Sequence, residues 1–176
     1  KHNGGLWKIE SFQHVKPGKG PAFVRTKIRN LNTMKLLENT FTAGVKIDIV
    51  RIENRSHQFL YKEGSDMFHF MNQKNYEQIG IQKELINSPQ YLKEGGTADI
   101  MFHADEEIPL SCTLPPNVNL LISFTEPGEK GNTATNALKP ATTETGAEIR
   151  VPLFINQGDT VKIDTNNGHY LERVNS

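Results

Sequence analysis

The sequence predicts an all-β protein built as three small β-barrels in series, and three observations carry that reading. Apolar residues recur with a period of two, the spacing of a half-buried strand, along most of the chain. Turn signals rich in Gly, Asn and Asp separate short apolar runs at hairpin spacing. Leu114-Pro115-Pro116-Asn117 interrupts the chain where two prolines cannot continue a strand ladder. With 176 residues, 36% of them hydrophobic and 23% charged, the composition is that of a soluble globular protein with room for one ordinary domain or two to three very small ones.

The elements follow in order. In Ala22 to Arg29, Val24, Thr26 and Ile28 fall on one face and Arg25, Lys27 and Arg29 on the other, a strand whose exposed face is a row of cations. Asn30 to Lys35 reads as a turn, and Leu36 to Phe41 and Val45 to Ile52 as further strands, so residues 1–48 suit a small barrel. Residues 49–113 repeat the pattern, with Gln58 to Tyr61 and Met67 to Met71 joined by a turn at Lys62 to Asp66. A short helix is expected after Ser88, with Pro89 at its first position and Gly95-Gly96 as its stop. From 114 to 176 the strands are Val118 to Thr125, Glu148 to Ile155, Thr160 to Asp164 and Tyr170 to Val174, with a long loop over 126–145. Turns at Asn156 to Asp159 and Asn166 to Gly168 separate the last three.

Charge is uneven although it sums to zero. Residues 1–48 hold nine Lys or Arg against three acids, residues 49–113 six against ten, and residues 114–176 five against seven. The net charges are therefore +6, −4 and −2, and the basic first segment points to a polyanionic partner. No apolar stretch approaches the roughly 20 residues of a membrane helix. A lone Cys112 allows no internal disulfide and no thiolate cluster, which fits a reducing, cytoplasmic setting. The chain opens on Lys1 with no targeting pattern, and its true start is expected further upstream.

Lys16-Pro17-Gly18-Lys19-Gly20-Pro21 is the most unusual local feature. The outer prolines fix φ and the glycines leave one lysine uncrowded, so the tip projects an ammonium from a stiff loop. The plainer account is a strand connection that needs Gly and Pro, with Lys for solubility. The loop is not a phosphate-binding P-loop, because Gly18-Lys19 is followed by Gly20-Pro21 and a strand. Six histidines show no ligand-like spacing, so no metal is expected. Cys112 lacks a neighbouring base, and Asp105-Glu106-Glu107 reads as a solvated hairpin tip. No catalytic group is expected, and neither is a cofactor.

Two motifs carry a resemblance. The run from His14 to Arg25, with Pro17-Gly18-Lys19-Gly20 at its centre, is similar to the first-domain loop of the bacterial elongation factor P family. The third segment holds that family's spacing in Lys139, Ala141, Gly146, Ile149, Val151, Pro152, Ile155 and Gly158, and Tyr170 to Val174 resembles its last strand. The resemblance covers essentially the whole chain and implies an SH3-like or KOW-like barrel over 1–48, lacking a first strand, then OB-folds over 49–113 and 114–176, in an L-shaped, tRNA-like outline. It implies a monomeric translation factor bound between the ribosomal P and E sites beside peptidyl-tRNA and ribosomal RNA, relieving stalls at consecutive prolines. Lys19 would reach toward the tRNA CCA end, with Lys16, Arg25, Lys27 and Arg29 on the RNA backbone.

Two departures stand out. Many members carry β-lysine or an aminopentanol group on the tip lysine, added by a modifying enzyme, whereas the symmetric loop ending in Pro21 resembles loops that work unmodified. The usual Gly-Asp-Thr or Gly-Asp-Arg of the third-domain loop, associated with the E-site codon, is here Gly131-Asn132-Thr133, which exchanges an anionic acceptor for an amide. Tyr170 and Arg173, in the last strand, join this loop among the candidate site residues of the third domain. The rival reading is a general single-strand RNA-binding OB-fold module or RNA chaperone, which would want basic grooves with aromatic platforms. The acidic second and third segments argue against it.

Overall fold

A computed structural model describes residues 2–31, 33–127 and 137–174. The described residues form thirteen strands and two single 3₁₀ turns. The strands are β1 (Trp7–Val15), β2 (Phe23–Asn30), β3 (Leu36–Thr42), β4 (Ile52–Glu63), β5 (Met67–Asn72), β6 (Gln78–Gln82), β7 (Thr97–His103), β8 (Ile108–Thr113), β9 (Asn117–Thr125), β10 (Leu138–Thr143), β11 (Glu148–Pro152), β12 (Thr160–Asp164) and β13 (Tyr170–Val174). They make three sheets, ordered β1-β2-β3, β6-β5-β4-β7-β8 and β11-β10-β9-β12-β13. The all-β expectation therefore holds. The backbone divides into two compact units, residues 1–53 with 101–110 and residues 54–100 with 111–176.

In the first unit β2 is the middle strand, and its alternation decides which side is buried. Thr26 and Ile28 are buried while Arg25 and Lys27 are exposed. The Thr26 hydroxyl cannot go inside unpaired, and it donates to the Asn39 carbonyl at 2.8 Å. The turn at 30–35 is held by Asn30 N–H donating to the Lys35 carbonyl at 3.0 Å. The strand expected over 45–52 does not form; regular pairing resumes only at Ile52. Val45, Ile47 and Ile49 do alternate, but Gly44 at φ +87° turns the chain out of the sheet after β3, leaving Ile49 90% exposed. A strand needs a partner as well as a pattern.

In the second unit the central sheet packs Phe59, Phe68 and Phe70, with Phe59 5.8 and 5.4 Å from the other two rings. Ile81, Ile100 and Cys112 complete this core. The last sheet buries Leu120, Ile122, Ala141, Ile149, Val151, Ile155, Val161 and Ile163. The family spacing seen in the sequence is thus mostly packing and turn chemistry: Ala141, Ile149, Val151 and Ile155 are core, and Gly146 and Gly158 adopt φ of +82° and +90°. Lys139 is buried too, its Nζ donating to the Glu126 carbonyl at 2.7 Å.

Two expectations fail here. The helix after Ser88 is a single 3₁₀ turn over Pro89–Tyr91. Ser88 is not a helix cap but sits in the left-handed region, at φ 53° and ψ 50°, and its hydroxyl donates to the Thr165 carbonyl at 2.6 Å. Leu92, at φ −70° and ψ 120°, is already extended, so the turn ends after one round although Tyr91 and Leu92 are both buried. The second miss is β10, which lies inside the expected 126–145 loop. Pro140 lies inside β10, opposite Arg150 of β11, and is tolerated because β10 pairs with β9 only from Ala141 onward.

Candidate nucleic-acid interface

The cation-bearing hairpin is assembled from β1 and β2, paired from Trp7↔Asn30 at its base to Val15↔Phe23 below its tip. Residues 16–22 make the connection, and Lys16, Pro17, Gly18, Lys19, Gly20 and Pro21 are all exposed. Gly20 turns the loop at φ +108°, a conformation costly to any residue with a Cβ. A Cβ on Gly18 would meet nothing within 4 Å, so the space beside Lys19 is open. Among the described residues no carboxylate pairs with Lys16, Lys19 or Arg25.

The other cations of the row are engaged. A bulge between Ile9 and Ser11 leaves Glu10 unmatched on β1, and its Oε1 accepts from Arg29 Nε at 2.9 Å. Lys8 Nζ lies 4.0 Å from the same oxygen. The Arg29 hydrogen bond holds the Glu10 carboxyl below its ordinary value, with the Lys8 charge adding to it. Lys27 pairs across to Glu38 of β3 at 3.7 Å. The structure therefore sorts the five cations expected on RNA: Lys16, Lys19 and Arg25 have no carboxylate partner among the described residues near the tip, whereas further down Lys27 pairs with Glu38 and Arg29 shares Glu10 with Lys8. Nothing in the sequence distinguished them, because the Glu10 contact depends on the bulge.

At the other end of the chain, Tyr170 is half-buried and Arg173 exposed. The Arg173 guanidinium lies 5.9 Å from the Phe154 ring centre, and its Nη1 is 3.9 Å from Asp159 Oδ2. Phe154 drew no attention in the sequence; its 59% exposure is the signal that only the structure supplies. Gly131, Asn132 and Thr133 lie outside the described residues.

Cys112 and His57 are both buried in the second unit. Cys112 is fully buried, and burial pushes its thiol up to about 12, with the Asp99 charge acting in the same direction. His57 is buried with Nδ1 2.8 Å from the Arg55 carbonyl, and desolvation holds its ring below the ordinary histidine value. Among the described residues no group of three His, Cys, Asp or Glu side chains could hold a metal ion.

Comparison with known proteins bears on the whole chain at once. Residues 1–47 match the elongation factor P KOW-like domain, 52–110 its OB domain and 118–173 its C-terminal domain. Elongation factor P of Flavobacterium johnsoniae is 54% identical over 174 residues, spanning 99% of this chain and 92% of that one. The chain belongs to the elongation factor P family. Elongation factor P 1 of Porphyromonas gingivalis is 51% identical over 171 residues, spanning 97% and 90% of the two chains. Among solved structures, a eukaryotic translation initiation factor 5A from Methanococcus jannaschii shares 23% identity at a TM-score of 0.48, over 62% of this chain and 83% of that one. The family identity makes the protein a translation elongation factor with KOW-like and OB domains.

Proposed function

We propose that the factor binds the ribosome between the P and E sites, beside peptidyl-tRNA, and stimulates peptide-bond formation where consecutive prolines stall it. The observation that carries this reading is the stiff, exposed loop holding Lys19 at its tip without a carboxylate partner among the described residues. In this proposal Lys19 reaches toward the tRNA CCA end, while Lys16 and Arg25 hold RNA phosphates from the same end of the hairpin. Lys27 and Arg29 contribute less, since each already faces a carboxylate.

The chemistry asks for no acid, base or nucleophile. Proline is a poor peptide donor and acceptor because its ring restricts the geometry of attack, so orienting the P-site tRNA recovers rate while ribosomal RNA remains the catalyst. The reading carries a division into domains at 1–48, 49–113 and 114–176, a cytoplasmic setting, and a third domain, with Tyr170 and Arg173 in its last strand, toward the small subunit and the tRNA anticodon arm. It also takes Lys19 to work unmodified, since Pro17 and Pro21 restrict the loop from both sides.

The test is translation of a tri-proline template in a reconstituted system. Lys19→Ala should reduce rescue to the rate seen without the factor while leaving the fold intact. Rescue at the wild-type rate would reduce Lys19 to a turn residue. A gradual loss spread equally over every cation would favour simple RNA binding instead. The intact mass of the Lys19 peptide from native cells separately decides the modification: an added group on most molecules overturns the unmodified reading.

A further inference from the structure

The outer face of the central sheet has no part in the reading above. Alternation puts Met67, His69 and Met71 of β5 on this face, with Gln78, Gly80 and Gln82 of β6 beside them. Phe68, Phe70 and Ile81 are buried on the opposite side. Tyr61 of β4 stands across from His69, and the two rings stack with centroids 4.6 Å apart and planes 18° apart. Glu63 steadies the pair, its Oε2 2.7 Å from His69 Nε2. Gly80 keeps the surface low at this point: a Cβ there would fall 2.9 Å from Met67 Sδ. Tyr61 remains 46% exposed, although nothing about its strand position requires an aromatic ring in water.

Beside this platform, Glu63, Asp66 and Glu84 line one open cleft with Met67 and Gln82, and no Lys or Arg is among the lining residues described. Lys62 points the other way, over the Phe68 ring at 5.5 Å. In an OB-fold the second and third strands form the face that takes oligonucleotides, which requires aromatic platforms set among cations. On this face Tyr61 of β4 and His69 of β5 present the aromatic half of that requirement, with carboxylates in place of the cations. A phosphate backbone would be repelled, and a chain of the opposite charge drawn in.

We infer that this face docks a basic, arginine-bearing segment of a protein partner. A guanidinium is planar, weakly hydrated and stacks on aromatic rings, so it fits flat on the exposed Tyr61 of the Tyr61–His69 pair. Glu63, Asp66 and Glu84 then receive the neighbouring charges of the segment, and the Met67 and Met71 thioethers adapt to its aliphatic stems. Six cations against ten acids over residues 49–113 supply the longer-range attraction. The inference is independent of Lys19.

The test uses the full ¹⁵N-labelled chain without ribosomes, titrated with hexa-arginine, hexa-lysine and hexa-uridylate. Hexa-arginine should shift the amides of Tyr61, His69, Gly80 and Glu84 saturably, and hexa-lysine should bind about two- to fivefold more weakly. Tyr61→Ala should lose that same factor, Tyr61→Phe should retain binding, and the Asp66→Lys, Glu84→Lys pair should abolish saturation. Lys19→Ala should change none of this. The inference is overturned if the two peptides bind equally and Tyr61→Ala is silent, if their shifts lie elsewhere, or if hexa-uridylate shifts this face instead.

Discussion

Thr165 joins the last sheet to the segment that precedes it, and replacing it by valine should destabilise the second unit. Thr165 is 1% exposed, and its hydroxyl lies 2.7 Å from the Pro115 carbonyl and 3.0 Å from that of Pro116. Valine fills the same volume, so no cavity term enters. Pro116 keeps a partner in the Thr165 N–H at 2.9 Å, leaving only the Pro115 carbonyl orphaned. Pro115 is half-buried, so the stranded acceptor costs about 1–2 kcal/mol, the lower part of the range for a buried one. Ser88 offers a second, graded perturbation of the same clasp. Ser88→Ala forfeits the hydroxyl's bond to the Thr165 carbonyl, for about 0.5–1.5 kcal/mol. Ser88→Gly forfeits the same bond but relieves a left-handed backbone worth about 1–2 kcal/mol, less about 0.5–1 kcal/mol for glycine's extra unfolded-state freedom. The expected order of stability is therefore wild type, Ser88→Gly, Ser88→Ala, Thr165→Val, read from urea denaturation followed by circular dichroism and from hydrogen exchange of the Thr165 amide. Thr165→Val within about 0.5 kcal/mol of wild type, the range of an ordinary surface change, would refute the argument. Ser88→Gly below Ser88→Ala would refute its backbone part.

Other expectations follow from the same geometry. His57 is held neutral by burial, so the unfolded chain takes up its proton first: the stability it contributes is present above about pH 6.5 and lost as pH falls through its lowered folded value. His57→Gln should flatten the change in denaturation midpoint between pH 7.5 and 5.5. Glu144 acts in a lower window. Burial alone would raise its carboxyl, but the Leu121 N–H at 2.9 Å and the Lys93 ammonium at 2.9 Å lower it, so its contribution disappears on acidification below about pH 4.5. Lys93→Met should reduce that loss. Cys112, pushed up to about 12, should resist iodoacetamide at pH 8 in the folded chain and react at once in urea; rapid native labelling would contradict its burial. Arg25→Ala should weaken RNA-dependent ribosome binding and lower the salt slope by roughly one, whereas Arg29→Ala should do less; equal effects would show that ion pairing does not grade the row.

The parts of this protein that read directly from sequence are those set by local alternation and turn chemistry. Val24 to Arg29 declared its buried and exposed faces, and Asn166-Asn167-Gly168 declared a hairpin, because neighbours along the chain decide both. The tip loop was legible for the same reason: Pro and Gly act on their own backbone. What stayed hidden depends on partners far away in sequence. Val45 to Ile49 alternate like a strand but find nothing to pair with, and Ser88 looks like a helix cap until Thr165, 77 residues later, takes its hydroxyl. The sorting of free from paired cations needed a bulge at Glu10, and the Tyr61–His69 stack needed the β4–β5 register. Neither register nor bulge is written in composition.

The uneven pairing along the first hairpin has an electrical consequence. Arg25 and Arg29 are four residues apart on β2, about 13 Å at about 3.3 Å per residue, which exceeds the screening length of about 8 Å at physiological ionic strength. A polyanion touching the loop thus feels little of the base, where three cations share two carboxylates, and the hairpin behaves as a charge carried at one end, with its positive pole at Lys19. Such a pole feels a torque in the last nanometre of approach and turns the tip toward the negative surface before any contact forms. Deleting Glu10 would lengthen the positive pole down the strand, adding attraction while blunting the alignment, so stronger binding and poorer orientation would arrive together.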